Sequence, residues 1–147
     1  MTDLTLSSAQ AIISAALAGG RTGPDRRIAI AVCDGGGHPL ALGREEDAAP
    51  LLAHIAQAKA FTCIAYGKST DAVREWAEET PIWFHGVARV AENRMGLPLI
   101  GSKGGVYIRD KDGRVLGAVG VAGEAGEQDE KLAVVGIQAA GLVADAV

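Results

Sequence analysis

The order of apolar and polar positions predicts a helix and a hairpin in the first third of the chain. Ser7 followed by Gln10 is a capping-box pattern, and apolar residues then recur at helical spacing and stop at Gly19, which predicts a first helix capped by Ser7. Residues 28–33 are continuously apolar and β-branched at alternate positions, which is typical of a buried strand. A glycine-rich turn at 34–38 leads to residues 39–44, which predict the second strand of a hairpin.

The middle of the chain is predicted to be mostly helical. Residues 50–66 predict an alanine-rich helix without one clean apolar stripe, which indicates that it is covered on more than one side. Residues 70–79 predict a third helix that ends before Pro81. Residues 82–95 fit a strand, a short helix or a packed loop, and the pattern alone does not decide among them.

The last third of the chain predicts another hairpin and another helix. Residues 106–109 and 114–121 flank an Asp- and Gly-containing turn, as the strands of a hairpin do. Acidic residues at 127–130 predict the start of a final helix that continues to about Asp145. Antiparallel hairpins separated by helices indicate the α+β class and argue against a parallel nucleotide-binding sheet.

Composition and charge narrow the class of partner. The 147 residues are expected to form one domain, 1–147. A net charge of −4 gives no general attraction for nucleic acid or anionic membranes, and no apolar run approaches the ~20 residues that span a bilayer. The N-terminus does not have the pattern of a secretory signal, and Cys33 and Cys63 are interpreted as buried thiols, so a cytoplasmic protein is expected.

Four motifs in the right order resemble those of one known family. They lie at residues 34–44, 55–62, 104–106 and 117–133, and together they span most of the chain. The sequence is similar to the GlcG/HbpS family, which includes haem-binding extracellular proteins and the C-terminal domain of PduO-type cobalamin adenosyltransferases. The resemblance implies a profilin-like three-layer domain, in which a five-stranded antiparallel sheet is flanked by helices. It also implies a homo-oligomer and a small-molecule ligand, with haem as the first candidate.

A short aromatic tract carries the haem hypothesis. Trp83, Phe84 and His85 place an imidazole beside one of the two tryptophans and one of the two phenylalanines of the chain. An apolar wall beside an imidazole suits a haem pocket, so all three are predicted to bind the ligand, with His85 as a possible axial ligand of the iron. The same imidazole would also serve as a general base near neutral pH. The alternative is an interface or core cluster.

Four ionisable residues are further candidates. Lys59 lies in a family motif and is predicted to hold an anionic ligand or act as a base, unless it reaches solvent or pairs with Asp47. Arg44 ends a strand and would present its guanidinium to a carboxylate of the ligand, or pair with Asp129 or Glu130. Asp129 would bind the ligand and Glu130 would move a proton, or both would only cap the last helix.

The glycines at 104 and 105 complete the predicted binding residues. Gly104 and Gly105 would offer backbone N–H groups to a ligand, or would only allow a tight entry into the following strand. Two functions therefore stay open. One is a small-molecule-binding domain with haem as the first candidate. The other is an enzyme that acts on a small anionic organic substrate by proton transfer, hydration or isomerisation, with Lys59, His85 and Glu130 as catalytic residues. A purely structural oligomer is a third reading.

Overall fold

The computed structural model describes residues 3–146. Over that range the helices are α1 Leu6–Leu17, α2 Pro50–Tyr66, α3 Thr70–Glu79, α4 Pro81–Met95 and α5 Gly126–Ala139. The strands are β1 Ala29–Asp34, β2 Pro39–Arg44, β3 Gly105–Arg109, β4 Val115–Ala122 and β5 Val143–Asp145. The strands form one antiparallel sheet in the order β2-β1-β4-β3-β5. The predicted α+β class and five-stranded antiparallel sheet are confirmed.

The sheet is covered on both faces, which explains the continuously apolar run at β1. Ile30 and Val32 of β1 pack with residues of α1 and α5 such as Ile12 and Ile137. The alternate residues of β1 point the other way, and Ala29 packs with Ala56 of α2. Because successive side chains of a strand alternate between faces, a strand between two helical layers needs apolar residues at every position.

The layer formed by α2 lies unusually close to the sheet. A Cβ added at Gly120 of β4 would lie 2.0 Å from the carbonyl oxygen of Ala56, so only glycine fits there. Tyr107 is the one large buried side chain in these two clusters, and the other buried members are alanines and cysteines: Ala29, Ala31, Cys33, Ala56, Ala60, Cys63, Ala118 and Ala122. Small residues around α2 therefore allow close packing on several sides, which is why no single apolar stripe was visible in its sequence.

Residues 82–95 are helical, so the strand and loop alternatives are excluded. Pro81 occupies the first turn of α4, where its missing N–H costs nothing, and Gly96 ends the helix in a left-handed conformation with φ +94°. Phe84 and Ala88 of α4 pack with Val73 of α3 in an apolar cluster separate from the main core. None of the helices in the described range is both long enough and apolar enough to span a membrane.

Two predicted boundaries were wrong. The first helix is capped by Thr5, whose hydroxyl accepts a hydrogen bond from the Ser8 N–H at 3.0 Å, rather than by Ser7. The last helix stops at Ala139 instead of about Asp145, because Gly141 takes a positive φ of +76° and turns the chain. The residues beyond it form β5, which pairs with β3 and supplies the fifth strand of the sheet.

Candidate functional site

A cleft of about 570 Å³ lies between α3, α4 and the segment 98–101. The buried side chains of Phe84, Ala88 and Leu99 form its apolar wall. The exposed side chains of His85, Arg89 and Glu92 border it and can contact a polar or ionic part of a ligand. The cleft thus combines an apolar surface, an imidazole, a guanidinium and a carboxylate.

The helical form of α4 brings these groups to one cleft. Phe84 and Ala88 are four residues apart, as are His85 and Arg89, so each pair lies on one side of the helix, one turn apart. The Phe84 ring meets the Trp76 ring edge-on at 5.1 Å between centroids, which fixes its orientation. The His85 ring lies 5.6 Å from the Phe84 ring, also edge-on, while its side chain stays exposed.

The wall opposite α4 is held by α2 and α3. The Ile100 N–H donates to the Thr62 hydroxyl at 2.9 Å, and the Thr62 hydroxyl donates to the Ala58 carbonyl of α2. A Cβ at Gly101 would lie 2.8 Å from the Cβ of Ala77, so the segment sits tightly on α3. These contacts make the cleft a preformed feature of the fold.

The aromatic tract predicted as one pocket is split by the helix. Phe84 and His85 line the cleft, whereas Trp83 is 66 % exposed and belongs to the outer surface of α4. Consecutive residues of a helix are 100° apart around its axis, so three in a row cannot all face one cleft. Within a single chain, Trp83 is therefore not brought together with the other two.

Lys59 is buried on α2 and uses all three of its N–H donors. Its Nζ donates to the Lys103 carbonyl at 2.9 Å, to the Val121 carbonyl at 2.8 Å and to Asp129 Oδ2 at 3.2 Å. Its ionic partner is Asp129 and not the Asp47 considered from the sequence. A ligand that binds the ammonium would have to replace one of these bonds.

Asp129 forms a buried ion pair with Lys59, and its second carboxylate oxygen also accepts a hydrogen bond. Asp129 Oδ1 accepts a hydrogen bond from the Glu124 N–H at 2.9 Å. Burial raises the pKa of Asp129 to about 6, against the opposing effect of the Lys59 ammonium. Burial also lowers the pKa of Lys59, and the Asp129 charge opposes that shift. The pair joins α2, the 103–104 segment, the end of β4 and the start of α5.

The glycines at 104 and 105 are required by this packing. Gly104 has a φ of +127°, and a Cβ there would lie 2.8 Å from Lys59 Nζ. A Cβ at Gly105 would lie 2.7 Å from the Lys59 carbonyl oxygen, and the Gly105 N–H donates to the Thr70 hydroxyl at 2.7 Å. The Gly105 N–H is thus satisfied within the chain, which favours the tight strand entry over a ligand cradle.

Glu130 differs from its neighbour because one of its oxygens is buried without a partner. Oε2 of Glu130 is buried and accepts no hydrogen bond in the described part of the chain. Burial raises the pKa of Glu130, Lys103 lowers it, and Asp71 on α3 raises it further. Such a carboxyl is suited to taking up and releasing a proton above the usual range for glutamate.

In this structure Arg44 donates hydrogen bonds to backbone carbonyls. Its Nη1 donates to the Ala48 carbonyl at 2.7 Å and to the Glu45 carbonyl at 3.2 Å. These bonds stabilise the turn between β2 and α2, so the ion pair with Asp129 or Glu130 considered from the sequence is not formed. The side chain is exposed and its role in ligand binding stays a prediction.

Sequence reasoning missed Arg89 and Thr62, which shape the cleft. Arg89 follows His85 by four residues, so a helical assignment of 82–95 would have placed both on one side. Thr62 gave no local signal, because its hydrogen bond to Ile100 spans 38 positions of the sequence. In the described residues, no cluster of three or more His, Cys, Asp or Glu is placed to bind a metal ion.

The chain is thus a small three-layer α+β domain with a cleft beside α4 and a buried ion pair between Lys59 and Asp129. The chain belongs to the HbpS-like family, described as haem-degrading protein HbpS-like, whose family model matches residues 4–138. It is 33% identical over 116 residues to protein GlcG of Escherichia coli K12, which covers 77% of this chain and 79% of GlcG. The family assignment made from the four motifs is confirmed.

Solved structures with the same fold include a haem complex. The structure of a PduOC:haem complex has a TM-score of 0.75 at 20% identity and covers 96% of this chain and 97% of that one. A double mutant of HbpS from Streptomyces reticuli has a TM-score of 0.72 at 27% identity, with 94% and 87% of the two chains covered. The PduOC:haem complex shows a shared fold, and the HbpS structure adds to the family assignment.

Proposed function

We propose that this chain binds haem in the cleft between α3 and α4, with His85 as the axial ligand. The observation that carries the proposal is the position of His85 beside the apolar wall of Phe84, Ala88 and Leu99. The family description and the haem complex of a structural relative support the same ligand.

The residues at the cleft fit the chemical parts of haem. The apolar wall suits the porphyrin, the exposed imidazole suits the iron, and the Arg89 guanidinium suits a propionate. Bound haem would supply redox chemistry at its iron. The chain itself would hold the ring, and His85 and the surrounding wall would set the polarity around it.

Haemin titration followed by absorbance tests this proposal. The wild-type protein is expected to give a saturable Soret shift at one haem per chain, and His85→Ala is expected to abolish it because the axial ligand is lost. His54→Ala and His38→Ala are matched controls, because both imidazoles are exposed and lie outside the cleft. An unchanged Soret band and affinity in His85→Ala would remove His85 as the ligand.

A second candidate function, proton transfer on a small organic acid, is favoured by Glu130. Its buried Oε2, which has no hydrogen-bond partner among residues 3–146, and its raised pKa are typical of a general acid or base. Lys103 supplies a nearby positive charge for an anionic substrate. Lys59 and His85 were predicted to share this role. Lys59 lies behind the 103–104 segment with its donors occupied, so Glu130 is the group available for the proton.

Solvent-deuterium incorporation is a direct test of proton transfer. Pyruvate, malate and succinate incubated with the protein in D₂O are expected to gain deuterium at an acidic C–H if Glu130 acts as a base. Glu130→Gln is expected to lower the rate by about 100-fold or more, the usual range for a general base. Glu127→Gln, an exposed neighbour on the same helix turn, should keep it. Equal rates with and without protein would refute this function.

A cytoplasmic location is part of the proposal. Cys33 and Cys63 are both free thiols buried against α2 and the sheet, and a reducing compartment keeps thiols in that form. Fractionation of cells that produce the protein tests this location. Recovery in an extracellular fraction would contradict it.

A further inference from the structure

Four side-chain rings stand in one unbroken line from the end of α2 to the cleft. The Tyr66 ring stacks on the Trp76 ring, with 4.7 Å between the centroids and 15° between the planes. Trp76 meets Phe84 edge-on at 5.1 Å, and Phe84 meets His85 at 5.6 Å. The line therefore begins at a tyrosine that is 41 % exposed and ends at the imidazole that borders the cleft.

Three helices bring these rings together. Tyr66 is the last residue of α2, Trp76 lies on α3 and Phe84 lies on α4. The chain has only two residues each of Tyr, Trp and Phe, and one of each kind stands in this line. Phe84 is buried, whereas the stacked pair is only partly covered. The line thus runs from the apolar wall of the cleft out to the surface of the molecule.

The order of the rings suits the movement of single electrons. Among aromatic side chains, the indole of tryptophan and the phenol of tyrosine lose an electron most readily. The rate of electron transfer falls steeply with the gap between donor and acceptor, so rings in contact exchange electrons much faster than rings separated by solvent. Stacking of Tyr66 on Trp76 therefore couples the two oxidisable rings, and Phe84 bridges Trp76 to His85 without being oxidised itself.

The second tyrosine shows by contrast why Tyr66 suits this role. A tyrosine gives up its phenolic proton when it is oxidised, so a group that accepts the proton must be within reach. Tyr107 is buried, its hydroxyl donates to the Cys63 carbonyl at 2.7 Å, and burial raises its pKa to about 12. Tyr66 is exposed and therefore in contact with water, which can accept its proton.

We propose that Trp76 and Tyr66 carry oxidation from the cleft to the surface, one electron at a time. In the first step one electron leaves Trp76 and passes by way of the Phe84 ring to an oxidised group held at His85. In the second step one electron passes from Tyr66 to the oxidised Trp76, and the phenolic proton of Tyr66 goes to water. Trp76 is then restored, and a neutral tyrosyl radical stands at the surface.

The use of this relay with haem rests on the proposed function, and the oxidant is hydrogen peroxide. One peroxide needs two electrons and two protons to form two molecules of water, so two passages along the line reduce one peroxide. Each passage ends when a small reductant in solution, such as ascorbate, returns one hydrogen atom to Tyr66. The relay itself belongs to the chain, and it can be tested without haem.

A photo-oxidant attached at the cleft end of the line is the first test. A ruthenium–bipyridine complex is coupled to the thiol introduced by His85→Cys, and Cys33 and Cys63 do not compete because both are buried. Trp83→Phe in the same protein leaves Trp76 as the only tryptophan. Flash excitation with an external quencher oxidises the ruthenium, which then takes one electron from the chain. Transient absorption is expected to show the tryptophanyl radical first and the tyrosyl radical as the first decays.

Three variants of the labelled protein assign the steps. Tyr66→Phe keeps the stacked ring and removes only the hydroxyl, so it should abolish the tyrosyl radical and prolong the tryptophanyl radical. Trp76→Phe should abolish both signals. Tyr107→Phe is the matched control and should leave both unchanged, with circular dichroism to confirm that each variant is folded. A tyrosyl radical that persists in Tyr66→Phe or in Trp76→Phe, or one that never forms in the parent protein, would overturn the proposal.

A second measurement on haem-loaded protein separates the relay from the haem site. Hydrogen peroxide is expected to produce a tyrosyl radical in the electron paramagnetic resonance spectrum, which Tyr66→Phe should abolish and Tyr107→Phe should retain. A chain that fails the haemin titration but passes the photo-oxidant test has the relay, so only the proposed function fails. A chain that binds haem but forms no tyrosyl radical in either measurement has the haem site and no relay.

Discussion

At the scale of single residues, the buried pair of Lys59 and Asp129 is the least expected feature. Two charges removed from water repay their desolvation only when every donor and acceptor is satisfied. Lys59 meets that condition with three acceptors, and Asp129 binds both the ammonium and the Glu124 N–H. The pair therefore fixes where the 103–104 segment and α5 meet α2. We expect the fold to lose more stability when one partner is removed than when both are.

Removing one partner of this pair is expected to be costly. Lys59→Ala should lower the free energy of unfolding by about 3–5 kcal/mol, because it leaves the Asp129 carboxylate buried and unpaired. The double variant Lys59→Met with Asp129→Leu should recover most of that loss. Urea unfolding followed by circular dichroism measures both, with the exposed Lys68→Ala as control. A loss below 1 kcal/mol in Lys59→Ala would contradict the role given to the pair.

The raised pKa of Asp129 predicts a pH dependence with a defined sign. The folded-state pKa is about 6, above the usual 3.8, so between these values the folded chain binds more protons at Asp129 than the unfolded chain. The contribution of Asp129 to the free energy of unfolding therefore falls as pH rises from about 4 to 6, by at most about 1.4 kcal/mol per pH unit.

Carboxyl carbon NMR titration checks this assignment residue by residue. The Asp129 signal should have its midpoint near pH 6. Asp110 is the internal control, because a hydrogen bond from the Arg114 backbone N–H lowers its pKa. A midpoint for Asp129 at or below its usual value would show that the Lys59 charge outweighs burial.

At the scale of elements, the close contact between α2 and β4 depends on a residue without a side chain, Gly120. Gly120 lies so close to α2 that an added Cβ would be 2.0 Å from the Ala56 oxygen and 2.7 Å from the Ala60 nitrogen. Backbone atoms cannot move aside as a flexible side chain can. The position of α2, and with it that of Lys59, therefore depends on a residue that has no side chain.

Gly120→Ala is expected to destabilise the fold by about 1–3 kcal/mol or more, because α2 must move away from the sheet. Gly20→Ala is the matched control: an added Cβ there meets nothing within 4 Å, and the change should stay within about 0.5 kcal/mol. Thermal unfolding of the two variants measures the difference. Equal melting temperatures would contradict the close contact.

The elements themselves were predicted unevenly. The hairpin of β1 and β2 and the helices α2 and α3 follow from local signals, such as the glycine-rich turn at 34–38 and the left-handed Gly67 that ends α2. β5 was missed because its three residues carry no strand pattern of their own. It exists because Tyr107 to Arg109 of β3 offer an unpaired edge to residues 143–145 after the turn at Gly141.

At the scale of the whole molecule, the candidate groups fall into two places. Lys59, Asp129, Gly104 and Gly105 meet inside the three-layer body, where α2 faces the ends of β4 and α5. The cleft with His85 lies outside that body, beside the α3–α4 cluster. Glu130, the residue of the proton-transfer proposal, is not among the residues that line the cleft, so His85→Ala and Glu130→Gln test the two proposals separately.

The sequence by itself determined what local patterns encode: the class of the fold, the two hairpins, most helix limits and, through four ordered motifs, the family. It also identified Lys59, Asp129 and His85 as residues of interest. Only the tertiary structure decided that Lys59 pairs with Asp129 across 70 positions, that Glu130 Oε2 has no hydrogen-bond partner in the described part of the chain, and that Trp83 is exposed. Those outcomes depend on contacts between distant segments and on the direction of each side chain, and neither is written in the spacing of residues along the chain.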